Sequence, residues 1–328
     1  MAKPYSVLMG KAVRYIARLR GGGSALPGLF VETIDKSFVA DTLAQLPRGV
    51  VLISGTNGKT TTTKMVVELL ESQGLRVFTN RTGSNFSRGV AAALLGEVDT
   101  RGRLSADIAV LELDEAHAVH FVDTVPPRYS LLLNVMRDQL DRFGEIDTTA
   151  GMLEHIARAT TGTVIVNRED ARLRAIATKL PTKNIRYFGL DASLRQQFPN
   201  DDELHGDAAA GESLPDADVV LQSVGDSATF TLDGDRVQTT LKLRGIYNIF
   251  NAAAALALTR AIVGDELDQA ALLAKLAVVQ PAFGRGETLT VDGQPCELVL
   301  VKNPAGFRLS LQSFDPTGYA TMIAINDN

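Results

Sequence analysis

A short glycine-containing loop between a strand and a helix constrains this chain more than any other feature. Residues 50–53 (Val-Val-Leu-Ile) are continuously apolar, which is typical of a strand buried on both faces of a sheet. The segment that follows reads Gly55-Thr56-Asn57-Gly58-Lys59-Thr60-Thr61. A helix is predicted from about residue 60 to 72, and the N–H groups at such a helix start hold phosphate oxygens. The sequence therefore predicts a phosphate-binding loop inside an α/β fold.

Side chains in and beside this loop suit a nucleotide and its magnesium ion. Lys59, which we expect to face solvent, is placed to reach the β- and γ-phosphates, and the Thr60 hydroxyl is placed to ligate Mg²⁺. Glu112 follows the apolar run at residues 108–111, at the carboxyl end of a predicted strand, where ligands bind in open α/β sheets. A carboxylate is a hard oxygen ligand that magnesium favours. Two more acidic residues follow within three positions, so the sequence leaves open which carboxylate binds the metal.

Strand and helix patterns alternate along the middle of the chain. Further apolar strand segments lie at residues 75–78, 108–111, 131–133 and 164–166, and helical segments lie at 149–159, 169–180, 248–262 and 266–277. This alternation predicts a mostly parallel sheet covered by helices on both faces. Residues 191–227 are rich in Asp, Gly, Ala and Ser, and we interpret them as an irregular, β-rich insertion. After a junction at Gln280-Pro281, strands are predicted at 297–301 and 321–325.

A basic helix is predicted at the amino-terminal end, over residues 5–20, and Gly21-Gly22-Gly23-Ser24 ends it. Two interpretations are open. The helix can lie on an anionic membrane surface, or it can pack on the main domain as a terminal helix, which we favour. With 328 residues the chain is long enough for two domains.

Composition excludes several classes of protein. The formal net charge is -5, which argues against general nucleic-acid binding. The single cysteine, Cys296, rules out an internal disulfide and a cysteine-based zinc site, and we interpret it as a packing residue because no cation lies immediately beside it. No apolar run approaches the ~20 residues that span a bilayer, and the amino-terminal segment does not read as a signal peptide. A cytoplasmic protein is expected, with the inner membrane face as an alternative location.

The phosphate loop is similar to the ATP loop of the Mur ligase superfamily, which includes folylpolyglutamate synthase. Five more stretches resemble that family's motifs, in its order: Leu111-Glu112-Leu113, Asn134-Val135-Met136-Arg137-Asp138-Gln139-Leu140-Asp141, Val166-Asn167-Arg168-Glu169-Asp170, Gly245-Ile246-Tyr247-Asn248-Ile249-Phe250-Asn251 and Lys302-Asn303-Pro304. The resemblance implies ATP and Mg²⁺ as cofactors. It also implies an amino-terminal segment at 1–48, a central ATP-binding P-loop domain at 49–279, and an incomplete carboxyl-terminal α/β domain at 280–328.

Other stretches resemble one branch of the family, the synthetase that forms lipid II isoglutaminyl synthase with a GatD-type glutaminase. They are Gly21-Gly22-Gly23-Ser24, Thr79-Asn80-Arg81-Thr82-Gly83-Ser84-Asn85, Phe283-Gly284-Arg285-Gly286-Glu287, Val301-Lys302-Asn303-Pro304-Ala305-Gly306-Phe307 and Ala324-Ile325-Asn326-Asp327-Asn328. This likeness implies peptidoglycan biosynthesis by ATP-dependent amidation of the D-glutamate α-carboxylate of lipid II, or of a precursor, to D-isoglutamine. The reaction would pass through an acyl phosphate and use ammonia from the glutaminase.

The resemblance also implies roles for single residues. Lys59, Glu112, Lys302 and Arg285 would be catalytic, and Thr60 and Glu112 would hold the metal. The nucleotide would contact Gly55, Thr56, Asn57, Gly58, Lys59, Thr60, Thr61, Asn248 and Asn251. The acceptor would contact Asn80, Arg81 and Asn85, although a capping or loop role is an equal alternative for these three.

Departures from the family pattern limit what is carried over. Gln139 replaces a histidine that many Mur ligases use near a second magnesium, so a second metal ion is not expected. Residues 191–227 lack the four cysteines of the zinc ribbon that the resemblance implies there, so no zinc is expected. His117 and His120 are three residues apart, so they could share a helix face, but metal binding would need further ligands. His155 and His205 have no evident partners in the sequence. By the same resemblance, an Asp that would complete the glutaminase triad is expected shortly beyond the position that matches Asn328. Two alternatives stay open: a ligase that adds an amino acid, and a non-catalytic ATP-binding partner.

Overall fold

A computed structural model of the chain describes residues 3–19, 26–80, 87–136, 145–198, 213–243, 245–280 and 285–301, together with 307, 310–311, 317–318 and 320–324. A nine-stranded sheet forms the centre of the fold, in the order β2-β3-β1-β4-β5-β6-β7-β8-β9. Its strands are Val50–Ser54 (β1), Val77–Thr79 (β2), Ile108–Glu112 (β3), Tyr129–Leu132 (β4), Thr163–Asn167 (β5), Asn184–Leu190 (β6), Val219–Ser223 (β7), Ala228–Leu232 (β8) and Asp235–Thr239 (β9). All neighbours from β2 to β7 pair in parallel, and β8 and β9 complete the sheet as antiparallel strands. The predicted mostly parallel sheet is confirmed.

Helices cover both faces of this sheet. They span Pro4–Leu19 (α1), Leu26–Ile34 (α2), Phe38–Leu43 (α3), Lys59–Ser72 (α4), Ser87–Glu97 (α5), Glu115–Thr124 (α6), Glu145–Ala159 (α7), Ala171–Thr178 (α8), Ile246–Val263 (α9) and Gln269–Val278 (α10), with 3-10 turns at Ala192–Gln197 and Gly264–Glu266. Alternate residues of β1 belong to different cores: Val51 and Ile53 pack with α4, α9 and α10, whereas Val50 and Leu52 pack with α5 to α8. Side chains of a strand alternate between faces, so a continuously apolar strand serves two helical layers.

Register brings three strand ends together at one edge of the sheet. Ile53 of β1 lies opposite Glu112 of β3, and Ser54 lies opposite Leu132 of β4. Each of these strands is buried at every position. The segments that leave β1, β3 and β4 therefore start side by side, which is the arrangement that builds ligand sites in open α/β sheets.

Helix α9 is the longest apolar element of the described residues. By length and composition alone, the stretch Ile246–Glu266 could cross a membrane, and 61% of its apolar window is buried inside the protein. It packs against α4 and against strands β4 to β7, and eight consecutive residues from Ala252 to Thr259 are buried. In this structure the helix is therefore part of the core that packs on the sheet beside α4.

Several sequence expectations need correction. Strands β6, β8 and β9 and helices α2, α3 and α5 were not predicted. The interval 191–227 contains a 3-10 turn and the regular strand β7, while residues 199–212 lie outside the described ones. After residue 280, a separate antiparallel hairpin forms from Arg285–Val291 (β10) and Gln294–Val299 (β11), and residues 320–324 form no strand. Residue 325 lies outside the described part, and the division into domains at 48/49 and 279/280 stays a prediction.

Candidate nucleotide-binding site

The phosphate loop lies where predicted, between β1 and α4, and two of its glycines have positive φ angles. Gly55 has φ +136° and Gly58 has φ +88°, values that other residues rarely adopt. A Cβ on Gly58 would come within 2.8 Å of Asn251 Oδ1, and a Cβ on Gly55 would lie 3.0 Å from Asn134 N. The loop is therefore packed tightly between α9 on one side and the segment after β4 on the other.

Helix α4 starts without a side-chain cap. Its N-cap residue is Gly58, which forms no side-chain hydrogen bond to the first turn. The first N–H groups of an α-helix have no partner within the helix, and they bear partial positive charge. The N–H groups of Lys59, Thr60 and Thr61 therefore form an anion-binding end at the carboxyl edge of the sheet.

Asn134 fixes one side of the loop through neutral hydrogen bonds. The Asn57 N–H donates to Asn134 Oδ1 at 2.9 Å, and Asn134 Nδ2 donates back to the Asn57 carbonyl at 3.0 Å. The Thr56 N–H donates to the Asn134 carbonyl at 3.1 Å. The Thr56 hydroxyl donates to the Met136 carbonyl at 3.2 Å and accepts from the Met136 N–H at 3.0 Å. Both backbone groups of Asn57 are thus held by one side chain from the segment that follows β4.

Lys59 is buried, which corrects the expectation that it faces solvent. Its side chain is 7% exposed because it folds back under the loop, where Nζ donates to the Gly55 carbonyl at 2.7 Å. The ammonium also lies 3.2 Å from Glu115 Oε1 and 3.3 Å from Asp114 Oδ1. Glu115 Oε1 in addition accepts the Gly55 N–H at 3.2 Å. A carboxylate oxygen therefore contacts a loop N–H and the loop lysine, the two kinds of donor that bind phosphate in P-loops.

Thr60 and Glu112 form the pair that suits a magnesium ion. The Thr60 hydroxyl donates to Glu112 Oε1 at 2.8 Å, so an alcohol oxygen and a carboxylate oxygen lie side by side. Glu112 is 8% exposed, and Asn80 holds its backbone on both sides: the Glu112 N–H donates to Asn80 Oδ1 at 3.1 Å, and Asn80 Nδ2 donates to the Glu112 carbonyl at 2.8 Å. Two hard oxygen ligands next to a phosphate site fit Mg²⁺, which is usually bound by one or two protein groups plus phosphate and water.

A buried aspartate supports the Asn134 segment from behind. Asp170 Oδ2 accepts the Val135 N–H at 2.7 Å, and Asp170 Oδ1 accepts the Leu173 N–H at 3.0 Å as the N-cap of α8. Burial raises the pKa of Asp170 from 3.8 to about 6, although the backbone N–H groups that it accepts act in the opposite direction. Val135 follows Asn134 directly, so its hydrogen bond to Asp170, whose pKa is about 6, also supports Asn134.

The structure brings most of the predicted nucleotide residues together. Asn251 contacts Gly58, and Asn248 lies three residues earlier in the first turn of α9. Asn80 is 6% exposed, and its amide binds the backbone of Glu112. Arg81, Asn85 and Lys302 lie outside the described residues; Arg285 begins β10, but its side chain is also outside the described part.

Sequence reasoning did not identify the roles of Asn134, Glu115 and Asp170 in this site. Asn134 follows the end of β4 just as Glu112 ends β3, so the strand-end argument used for Glu112 is the signal that also points to Asn134. Asp170 precedes a helix as a typical N-cap residue, but nothing in the sequence indicates its contact with Val135.

The four histidines and the cysteine were weaker candidates in the sequence. His155 lies 2.8 Å from Asp123, which corrects the expectation that it has no partner, and His205 lies outside the described residues. His117 and His120 are both on α6, and no cluster of three metal-ligating side chains occurs among the described residues. Cys296 is exposed on β11, so the interpretation as a packing residue is wrong for this structure.

Comparison with known proteins matches the chain to one family model, the Mur ligase middle domain, over residues 53–259. The chain is similar to subunit MurT of lipid II isoglutaminyl synthase (glutamine-hydrolyzing) from Streptococcus pneumoniae, with 30% identity covering 98% of the chain and 76% of the relative. The Staphylococcus aureus MurT subunit is 25% identical, with 98% of the chain and 77% of the relative covered. A UDP-N-acetylmuramoylalanine–D-glutamate ligase from Bordetella parapertussis is 30% identical over 68% of the chain and 44% of the relative.

Solved structures show the same fold. A pseudomurein peptide ligase type C from Methanothermus fervidus matches with a TM-score of 0.68 and 20% identity, covering 86% of the chain and 59% of that structure. The MurF ligase from Thermotoga maritima in complex with ADP matches with a TM-score of 0.66 and 21% identity, covering 87% of the chain and 60% of that structure. The Mycobacterium tuberculosis folylpolyglutamate synthase matches with a TM-score of 0.59 and 18% identity, covering 84% of the chain and 69% of that structure. The chain thus spans less than two thirds of the pseudomurein ligase and MurF structures.

Proposed function

The chain belongs to the Mur ligase family and to its MurT branch, and on this premise we propose that it is an ATP-dependent carbon–nitrogen ligase of peptidoglycan synthesis. In finer detail, we propose that it amidates the D-glutamate α-carboxylate of the lipid II stem peptide. Ammonia would come from a glutaminase subunit of the GatD type, because the MurT relatives are named as subunits of a glutamine-hydrolyzing enzyme.

The contact between Thr60 and Glu112 beside the phosphate loop carries the proposal. These two oxygen atoms lie 2.8 Å apart at the start of α4, whose free N–H groups favour anions. Asn251 packs against Gly58 and therefore extends the same site along α9. Together these residues support binding of a nucleoside triphosphate whose phosphates contact the loop and whose base points toward the start of α9.

In the first step, an oxygen of the acceptor carboxylate attacks the γ-phosphorus of ATP, the bond to the β-phosphate oxygen breaks, and ADP leaves. Lys59 and the N–H groups at the start of α4 stabilise negative charge on the transferred phosphoryl group. Thr60 and Glu112 would hold Mg²⁺, which would supply positive charge to neutralise the phosphates during the transfer. Asn134 holds the loop backbone at Asn57, and Asn80 holds the backbone of Glu112, through hydrogen bonds.

In the second step, ammonia attacks the carbonyl carbon of the acyl phosphate. The carbon–oxygen bond breaks, inorganic phosphate leaves, and a proton is lost from nitrogen to give the amide. Releasing ammonia from glutamine needs an activated nucleophile, most often a cysteine thiolate paired with a histidine. Cys296, the only cysteine, lies on the exposed strand β11, and His155 of α7 is paired with Asp123. This arrangement supports a separate polypeptide as the source of ammonia.

The experiment is a reconstitution with purified chain, lipid II, Mg²⁺ and ATP. Amidated product is measured by mass spectrometry with ammonium chloride, with glutamine alone, and with glutamine plus a GatD-type glutaminase. We expect product with ammonium ions and with the glutaminase, and none with glutamine alone. Product with glutamine alone that is lost in Cys296→Ala would refute the two-subunit assignment.

The same reconstitution separates the alternatives. Incorporation of an added amino acid in place of ammonia would identify a ligase that extends the acceptor by an amino acid. ATP binding without turnover under every condition would identify a non-catalytic nucleotide-binding partner. Metal analysis of the purified chain completes the test, because we expect Mg²⁺ dependence and no stoichiometric zinc, and one tightly bound zinc per chain would contradict the proposed site.

A further inference from the structure

The amino-terminal helix α1 has two apolar faces, of which only one is packed. Ser6, Val7, Gly10 and Ala17 are buried against the rest of the protein. The approach is close: a Cβ on Gly10 would come within 2.4 Å of Val31 in α2 and 2.9 Å of Leu95 in α5. The interpretation of α1 as a packed terminal helix is therefore correct for this face.

The opposite face of α1 is also apolar, and it is exposed. Its members are Tyr5 (54% exposed), Leu8 (54%), Met9 (49%), Ala12, Tyr15 (66%), Ile16 (49%) and Leu19 (71%). Spacings of three and four residues place them on one side of a helix. Leu26 and Leu29 of α2 are exposed as well. A contiguous apolar surface of this kind marks an interaction site, whereas single exposed apolar residues do not. We call the seven α1 residues the apolar face.

Charge around the apolar face is strongly one-sided. The first 31 residues contain five lysines and arginines and no acidic residue, whereas the whole chain has a net charge of -5. Lys11 is three residues after Leu8 and four before Tyr15, so it borders the apolar face directly. An apolar face bordered by cations complements a surface that is apolar inside and anionic outside.

We propose that α1 lies flat on an anionic lipid bilayer, with the apolar face inserted at the boundary between headgroups and acyl chains. Tyrosines are favoured at that boundary because they present an apolar ring and a polar hydroxyl, and two of the seven residues of the apolar face, Tyr5 and Tyr15, are tyrosines. Protein interfaces are instead depleted of lysine at their cores. The choice of a lipid surface rests partly on the proposed function, in which the acceptor is lipid-linked.

The absence of tryptophan from the chain allows a direct measurement. Tyr15→Trp places the only tryptophan of the variant in the apolar face, and Met322→Trp places it at a control position that is 88% exposed. Each variant is titrated with vesicles of phosphatidylcholine alone and with vesicles containing phosphatidylglycerol. We expect a blue shift of emission for Tyr15→Trp only, with anionic vesicles only, and weakened by salt. The same emission for Tyr15→Trp with and without anionic vesicles would overturn the proposal.

Charge substitutions test the apolar face in the unlabelled protein. The double variant Leu8→Glu/Ile16→Glu should reduce co-sedimentation with anionic vesicles at least tenfold. The control Val291→Glu/Met322→Glu adds the same charge at residues that are also exposed, and it should sediment like the unchanged protein. Equal loss in both variants would show a general charge effect and overturn the assignment to α1. Both variants should retain nucleotide binding, since none of the four residues contacts the phosphate loop.

Other occupants of the apolar face give different results. If a second copy of the chain covers it, light scattering will show a dimer that Leu8→Glu/Ile16→Glu dissociates, and vesicles will not be bound. If the glutaminase covers it, the double variant will lose the complex in the absence of lipid. Vesicle binding is measured without nucleotide, so a chain that binds vesicles but not ATP would refute the proposed function and leave this inference standing.

Discussion

The two sides of the phosphate loop are held by different kinds of contact. On the side of β4, Asn134 and the backbone at Met136 hold Thr56 and Asn57 through uncharged hydrogen bonds of 2.9 to 3.2 Å. On the side of β3, contacts are between charged groups: Lys59 lies 3.2 Å from Glu115 and 3.3 Å from Asp114.

This difference indicates that the β4 side positions the loop, whereas groups on the β3 side exchange partners when a nucleotide binds. Neutral backbone hydrogen bonds do not compete with an entering anion, so the β4 side can stay unchanged when a nucleotide binds. The lysine and the Gly55 N–H on the β3 side are both engaged by Glu115, so they must change partner before they can contact a phosphate. We therefore expect substitutions on the β4 side to alter stability and those on the β3 side to alter nucleotide affinity and turnover.

The largest effect is expected for Lys59→Ala. Loss of a charged group that stabilises a transferred phosphoryl group lowers turnover by about 10²–10³-fold. Because Lys59 is buried between two carboxylates, its removal leaves them without their cation, and we also expect a lower thermal stability. Removal of a solvent-facing lysine would not have this effect. ATP turnover and thermal unfolding are measured together. Lys64→Ala on the same helix is the control, and turnover of Lys59→Ala within threefold of the unchanged protein would contradict the site.

Asp170→Asn tests whether the stability of the β4 side of the loop depends on ionisation of the Asp170 carboxyl group. The folded pKa, about 6, lies above the ordinary value of 3.8, so folding favours the protonated form. The stabilisation from this group is full below pH ~4 and is lost as pH rises through 6, which amounts to about 2 kcal/mol between pH 4.5 and 7. Urea unfolding at both pH values should show this loss in the unchanged protein and not in Asp170→Asn. An identical pH dependence in both proteins would exclude Asp170 as its cause.

Asn134→Ala should destabilise the protein by about 1–3 kcal/mol, because it removes two hydrogen bonds to buried or half-buried backbone groups of Asn57. Urea unfolding gives the change in stability, and nucleotide titration shows whether the altered loop still binds nucleotide with the same affinity. Asn134→Asp keeps the acceptor Oδ1 and loses the donor, so it separates the two bonds. The matched control is Asn184→Ala on β6, which removes one side-chain bond to Thr163 far from the loop.

The smallest effect is expected for Glu115→Gln, and its direction is opposite. Removing the negative charge that pairs with Lys59 should strengthen binding of ATP by several-fold, less than the tenfold that corresponds to about 1.4 kcal/mol. Binding is measured by equilibrium titration at low and high salt, and the difference should shrink as salt rises. Asp123→Asn on the same helix is the control. Weaker ATP binding in Glu115→Gln would show that this carboxylate contributes to the nucleotide site instead of competing with the nucleotide.

Local patterns in the sequence were sufficient for the phosphate loop and its strand. These features are the apolar run at residues 50–53, the two glycines and the following helix, and all of them lie within about twenty residues. Residue propensity and periodicity are therefore enough to predict them. Glu112 could be predicted because a strand end is itself a local feature. The six ordered motifs then predicted the family, which the Mur ligase middle domain match confirms.

Contacts between distant residues could not be predicted in this way. Asn134 and Asn57 are hydrogen-bonded although they are 77 residues apart in the sequence, and Asn80 and Glu112 although they are 32 residues apart. Neither hydrogen bond can be recognised from a local sequence pattern. The missed hairpins are different, because a local signal was present. Asp233-Gly234 and Asp292-Gly293 all have positive φ angles, and Asp-Gly between two strand segments is a strong hairpin signal.

Glu115 has a consequence for ligand discrimination in a cell that contains many anions. The nucleotide-free protein already has an oxygen atom of its own at the lysine and the loop N–H, so any incoming anion has to displace a tethered competitor that is never diluted. A weakly held anion with few contacts, such as inorganic phosphate, gains little from that exchange. A triphosphate that also contacts the metal pair and the start of α9 gains much more. We therefore expect the tethered carboxylate to weaken binding of every anion by a similar factor, so that an anion with few other contacts occupies the loop least.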